Sequence, residues 1–360
     1  MTGGGRAAVA GLALAAATLA ACPRERPGWA ERPFEAEVVL ADGTVLGLPT
    51  LEAGRRSYLR NCYGCHGLDG DGQGPVAAGL RPPPRDLRIA VFKFGAVARQ
   101  ALPTDDDLAR IVRDGLAGTA MLGWDLPGAE VDALVAFMKT FPAPPCERAR
   151  RGAEPCRADL EADPEGAPNR WRARREEGPL AGQPRFPVGE PIVAPEDPWR
   201  GREDDAVERG KLLYHARAGC DACHPAYVTR AEYAALSIRS EGAPKSGYRD
   251  DMYRPAVRPA ADNDFGVDVV PPDFTRDRLR SVRDGRALDD LYVRIAAGVG
   301  GGLMPSWLES AELAARPGET PSELIYALAH YVRSLCLLRG TEGAAALGRD
   351  LAAQPPISTP

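Results

Sequence analysis

Apolar residues follow one another from Ala7 to Ala21, and no later stretch is apolar at that length. Past it the pattern becomes periodic. Two short β-type runs, Glu37–Leu40 and Thr44–Leu46, flank Asp42-Gly43 and predict a hairpin. A helix is expected from about Leu51 to Cys62. Val131, Leu134, Val135 and Met138 mark one amphipathic helix, and Leu324, Leu328, Tyr331 and Leu335 mark another. Pro142–Arg209 differs in kind: crowded with Pro, Arg and Glu and without sustained periodicity, it reads as a linker with little core of its own. Thr341–Pro360 ends the chain as a tail with a short Ala/Leu helical stretch.

The segments on either side of the linker repeat one another. Gly54-x-x-x-Tyr58 leads into Cys62-Tyr63-Gly64-Cys65-His66, and Gly210-x-x-x-Tyr214 leads into Cys220-Asp221-Ala222-Cys223-His224. Pro83-Pro84-Arg85-Asp86 follows in the first and Pro271-Pro272-Asp273-Phe274 in the second. Leu108, Val112, Gly115, Met121 and Trp124 then match Leu291, Ile295, Gly298, Met304 and Trp307 at identical intervals, before each amphipathic helix. Markers repeated in one order point to a duplicated unit.

Composition narrows the class. The chain has 360 residues, with 45 Lys plus Arg against 50 Asp plus Glu and a formal charge of −5. That mild acidic excess argues against nucleic acid as a partner, whose binders usually carry a basic face. Hydrophobic residues at 44% suffice for a core, while 39 Gly and 34 Pro predict abundant loop. The lack of a second long apolar run excludes a polytopic membrane protein. Arg6 before the run at Ala7–Ala21 places that run as the core of an export signal. Its end, Leu19-Ala20-Ala21-Cys22, is similar to the lipobox of bacterial lipoproteins. That likeness implies cleavage before Cys22 and lipid on its thiol, so residues 1–21 are read as a signal peptide and residues 22–50 as tether and hairpin. The expected location is the bacterial periplasm, with the membrane held through the lipid.

The strongest chemical signal is Cys-x-x-Cys-His, present twice. Two thiols three positions apart can add to the two vinyl groups of one porphyrin, and the adjacent His then lies against the iron. A thioredoxin-like pair would need a surrounding βαβ pattern, which is lacking. A structural zinc would need a second pair of N or S ligands near each motif. A plain disulfide explains neither the His nor the repetition.

On these residues the chain resembles the class I c-type cytochromes over about residues 51–143 and 206–338. The run from Asn61 to Pro75, with Gly67-Leu68-Asp69-Gly70 after the motif, is very like the haem-site loop of that family. The resemblance implies a mainly α fold of two tandem cytochrome c-like helical haem domains, at 51–143 and 206–340, joined by a long Pro/Arg/Glu-rich linker at 144–205 and followed by a tail at 341–360. It implies haem c, two per chain, attached through Cys62 and Cys65 and through Cys220 and Cys223. His66 and His224 would be the proximal ligands and Met121 and Met304 the sixth ligands. The residues support the last pair independently. Met121 and Met304 lie in Gly-rich loops at equivalent repeat positions, and a thioether suits low-spin haem iron. Met138 lies on an apolar helical stripe and reads as core filler.

The second half departs from the pattern. His224 to Asp273 is 49 positions against 20 from His66 to Asp86, an insertion of 29 residues near 225–270, and Pro225-Ala226-Tyr227 replaces the Gly-rich loop. Met252 in this insertion is a rival ligand for the second iron. His215 and His330 read as structural or exposed rather than as ligands, with His330 the one that could move the ligand assignment at the second haem. Cys146 and Cys156 flank a nine-residue loop, for which a local disulfide is expected, and Cys336 leaves the count odd. The expected function is single-electron transfer between redox proteins, such as a quinol-oxidising complex, a dehydrogenase or a terminal oxidase, with no catalytic residue. The alternatives are a di-haem peroxidase and a cytochrome subunit of a periplasmic dehydrogenase or oxidase complex.

Overall fold

The computed structural model describes residues 27–143, 168–241, 249, 251–263, 267–285, 287–308, 310 and 318–353. The chain is helical, with a single short sheet among the described residues. That sheet is the expected hairpin, narrowed to β1 (Val38–Val39) against antiparallel β2 (Val45–Leu46). The first half carries α1 (Leu48–Asn61), α2 (Tyr63–His66), α3 (Asp105–Asp114) and α4 (Gly128–Met138). The second carries α5 (Glu203–Leu212), a π-helical continuation at Leu213–Arg217, α6 (Arg230–Glu241), α7 (Leu288–Ala297) and α8 (Pro321–Leu338), with α9 (Glu342–Ala352) behind it.

Both halves are organised by one crossing. In the first, α1 crosses α4 at Gly54, where a Cβ would lie 2.0 Å from the Ala133 carbonyl oxygen and 2.7 Å from the Phe137 Cβ. In the second, α5 crosses α8 at Gly210, where a Cβ would lie 2.0 Å from the Ala327 oxygen and 2.7 Å from the Tyr331 Cβ. Only hydrogen at this position lets the backbones approach so closely. One turn later the tyrosines pack on the same neighbours. Tyr58 lies 5.3 Å from Phe137 and 5.1 Å from Phe141 between ring centroids, and Tyr214 lies 5.4 Å from Tyr331. Two apolar cores result. One is built on Leu51, Tyr58, Leu134 and Phe137; the other is built on Leu213, Tyr214, Ile325 and Leu328.

The described part of the linker is no loose tether. Trp171 is buried in the first core, and Ile192 joins the second. Asn169 donates to the Lys139 and Phe141 carbonyls at 3.0 and 2.6 Å. Ile192 donates its amide to Ala96 at 2.7 Å, and the Trp199 indole donates to Glu323 at 2.8 Å. Three apolar anchors spread over some thirty positions leave no periodicity to read in a sequence. They nevertheless strap the segment to both halves.

The insertion in the second half also makes a core. Tyr233, Leu236 and Met252 close with Leu212, Ala216, Ala226 and Val228 into a separate buried cluster.

Candidate functional site

In the first half α1 ends at Asn61 and the chain turns at once into the four-residue helix α2. Cys62, Cys65 and His66 therefore share one turn, with the His66 amide bonded to the Cys62 carbonyl at 2.9 Å. The turn stops at Gly67, whose φ of 80° and whose approach to Asp71 suit glycine. The Tyr58 hydroxyl donates to the Gly67 carbonyl at 2.7 Å, tying the end of the motif to α1. His66 Nδ1 lies 3.0 Å from the Arg85 carbonyl oxygen. A carbonyl only accepts, so Nδ1 carries the proton and Nε2 keeps its lone pair for a metal.

The second half repeats this geometry. The His224 amide bonds to the Cys220 carbonyl at 2.9 Å, and the Tyr214 hydroxyl donates to the Pro225 carbonyl at 2.9 Å. His224 Nδ1 lies 3.0 Å from the Pro272 oxygen, and its ring stacks on Phe274 at 4.7 Å. Arg85 and Pro272 each immediately precede the aspartate of the repeated Pro-rich marker. That marker thus supplies the carbonyl that orients each imidazole. Burial pushes both histidines below the ordinary imidazole range, which keeps them neutral and able to ligate.

None of Cys62, Cys65, Cys220 and Cys223 forms a disulfide. Burial, with Cys65 adding to it, pushes the Cys62 thiol up to about 12. A reactive redox pair requires the opposite shift. Among the described residues no group of three or more His, Cys, Asp or Glu could hold a metal ion. Two thiols and an oriented imidazole on one turn fit a covalently attached haem at each motif.

The loops expected to carry the sixth ligands are also built alike. Gly115 and Gly298 end α3 and α7 at φ of 70° and 71°, with Cβ space blocked by the Met121 and Pro305 backbones. The Leu116 amide closes the first loop on the Met121 carbonyl at 2.8 Å, and the Val299 amide closes the second on Met304 at 3.2 Å. Both Met side chains are half-buried, and Met304 packs against the second core.

Met138, Met252, His215, His330 and Cys336 are engaged elsewhere. Met138 packs against the first core and Met252 is buried in the satellite cluster. His215 is fully buried, with Nδ1 on the Lys211 carbonyl at 2.8 Å and Nε2 accepting from the Tyr227 amide at 3.3 Å. Both its nitrogens are used. His330 Nε2 lies 2.9 Å from Asp197, pinning the linker to α8. Cys336 is buried and outside any disulfide. Cys22, Cys146 and Cys156 lie outside the described residues.

The insertion supplies a contact that the sequence left unassigned. In the first half the Gly74 amide donates to the Cys65 carbonyl at 3.1 Å; in the second the Ala256 amide takes that place on Cys223 at 2.8 Å. Arg258 adds a bond from Nη2 to the Cys223 sulfur at 3.0 Å. The inserted residues thus rebuild the wall that Gly67–Gly74 form in the first half. No motif marks Ala256, since a backbone amide leaves no trace in residue type.

A family match agrees with the geometry of the first half. Residues 49–138 match the family described as Cytochrome C oxidase, cbb3-type, subunit III. A chain in the solved Kuenenia stuttgartiensis reducing HAO-like protein complex Kustc0457/Kustc0458 is similar at 23% identity, covering 79% of this chain and 96% of that one, with a TM-score of 0.46. Comparison with curated proteins finds no match. The attachment turn, the oriented imidazole and the family match coincide over residues 49–138, which therefore resemble a c-type cytochrome domain.

Proposed function

We propose that this chain is a c-type cytochrome, a two-haem electron carrier tethered by lipid at Cys22 on the periplasmic side of a bacterial membrane and passing single electrons between redox proteins. The observation that carries the two-haem reading is the repeated pin on the ligating imidazole: His66 on Arg85 and His224 on Pro272, both at 3.0 Å. Haem c, when bound, supplies the one-electron iron couple. The chain's residues do the rest. Cys62, Cys65, Cys220 and Cys223 hold the group covalently. His66 and His224, with Nε2 left free of a proton, would ligate the iron, and Met121 and Met304 would supply a thioether to each. Thioether ligation beside imidazole would raise the reduction potential and disfavour binding of a substrate at the iron. A quinol-oxidising complex, a dehydrogenase or a terminal oxidase is the class of partner proposed, with a cytochrome subunit of such a complex as the nearest variant.

The test is direct. Denatured protein should retain haem at two per chain. Met121→Ala and Met304→Ala should each remove the methionine–iron charge-transfer absorption of one haem and lower its potential. The wild type should show negligible peroxide reduction. One haem per chain would leave a single-haem carrier. Rapid peroxide turnover, or a high-spin haem at rest, would instead favour a di-haem peroxidase.

A further inference from the structure

The loop from Gly298 to Met304 reads Gly-Val-Gly-Gly-Gly-Leu-Met, so no side chain within it before Met304 can hydrogen-bond to hold its shape. Its counterpart in the first half has Thr119 where the second has Gly302. Thr119 Oγ1 donates to the Leu116 carbonyl at 2.8 Å and accepts from the Met121 amide at 3.1 Å. Four glycines make the second loop expensive to order by itself. The first half supplies the missing partners. The Gly300 amide donates to the Lys93 carbonyl at 3.2 Å, and Arg99 Nη1 donates to the Gly302 carbonyl at 2.9 Å. A Cβ on Gly300 would lie 2.2 Å from the Phe92 oxygen, so the two backbones touch.

Arg294, on α7 just before the loop, joins the same contact from the other side. Its Nη1 donates to the Gly298 carbonyl at 2.8 Å and to the Lys93 carbonyl at 3.2 Å, with the Gly95 carbonyl at 3.5 Å. The guanidinium also lies 5.2 Å from the centroid of the Phe94 ring. Burial pushes it down to about 10, so it stays charged at neutral pH. The repeat places Ile111 at this position in the first half, where a guanidinium clasp has no counterpart.

We propose that Arg294 and Arg99 are positioning residues for the sixth ligand of the second haem: they clamp residues 92–99 of the first half onto the Met304 loop, so Met304 is presented only while the halves are docked. This rests on the reading of Met304 as a ligand. Ligation at the first iron depends less on docking, because Thr119 orders that loop from within.

The experiment uses the full-length holoprotein and compares Arg294→Met, Arg294→Lys, Arg99→Ala and Met304→Ala with wild type. Loss of the clasp in Arg294→Met should lower the methionine–iron absorption to about half, as removal of one of two thioethers does. It should also lower the potential of one haem, open that haem to carbon monoxide when reduced, and speed amide exchange in residues 298–304. Arg294→Lys should restore part of the absorption, and Arg99→Ala should give the same signature more weakly. Folded Arg294→Met and Arg99→Ala proteins with both absorptions and potentials intact would overturn the clasp and leave Met304 as a ligand. Should Arg294→Met fail to fold, an unchanged spectrum and exchange rate in Arg99→Ala overturns the clasp alone. Unchanged absorption in Met304→Ala would overturn the ligand reading, and the clasp with it.

Discussion

Met121 and Met304 occupy the same place in the repeat, after the same helix and the same left-handed glycine, yet their loops are held by different means. Thr119 braces the first loop from inside. The second loop has glycine there and leans on Lys93 and Arg99 of the other half. Contact between the halves is reciprocal, since the Ser281 amide donates to the Ala117 carbonyl at 2.8 Å and Ala117 matches Gly300 in the repeat. A duplicated unit can therefore keep the chemistry of its site in both copies while assigning its support differently. The His side of the two sites teaches the complement. There the insertion replaces a whole Gly-rich loop, but the Ala256 amide still caps the Cys223 carbonyl as Gly74 caps Cys65. Geometry at the imidazole is kept through different sequence; geometry at the methionine is kept through a different partner.

The comparison can be broken most sharply at the imidazoles. His66→Ala and His224→Ala should each abolish the low-spin haem of their own half, leaving the other spectrum intact, because His215 and His330 are already engaged by Lys211, Tyr227 and Asp197. Absorption spectra with haem quantitation check this. Loss of both haems in either variant would mean that the halves do not load independently.

Next come the crossings. Gly54→Ala and Gly210→Ala each force a Cβ to within 2.0 Å of a carbonyl oxygen, and overpacking of this kind is expected to destabilise by about 1–3 kcal/mol or more. Urea unfolding should give similar losses, since the two environments match atom for atom. A clear inequality would show that one crossing relaxes and the duplication is looser than it looks. Tyr58→Phe and Tyr214→Phe should each cost about 1–2 kcal/mol by removing the hydroxyl that donates to the Gly67 or Pro225 carbonyl, with the smaller loss at Gly67, which keeps the Gly70 amide at 3.3 Å. The smallest effect expected is at Thr119→Ala, about 1 kcal/mol, with faster amide exchange confined to the Met121 loop. Equal loosening of the Met304 loop would mean that the two loops share their support.

The motifs, the duplication, the helical class and both flanking glycines were legible in the sequence. Each depends on residue type at a fixed spacing: two thiols and an imidazole within one turn, a glycine where helices touch, apolar positions at helical period. Sequence also set Met121 and Met304 apart from Met138 as candidate ligands, since they lie in Gly-rich loops rather than on an apolar helical stripe. What only the tertiary structure decided is how these parts are held. The carbonyls of Arg85 and Pro272, the amides of Gly74 and Ala256 and the acceptors of Arg294 are backbone groups, common to nearly every residue, so composition and pattern carry no record of them. The linker was misleading for a related reason. Trp171, Ile192 and Trp199 are isolated anchors, and a single apolar residue among charges shows its burial only when the surface that receives it is built by residues far away in the chain.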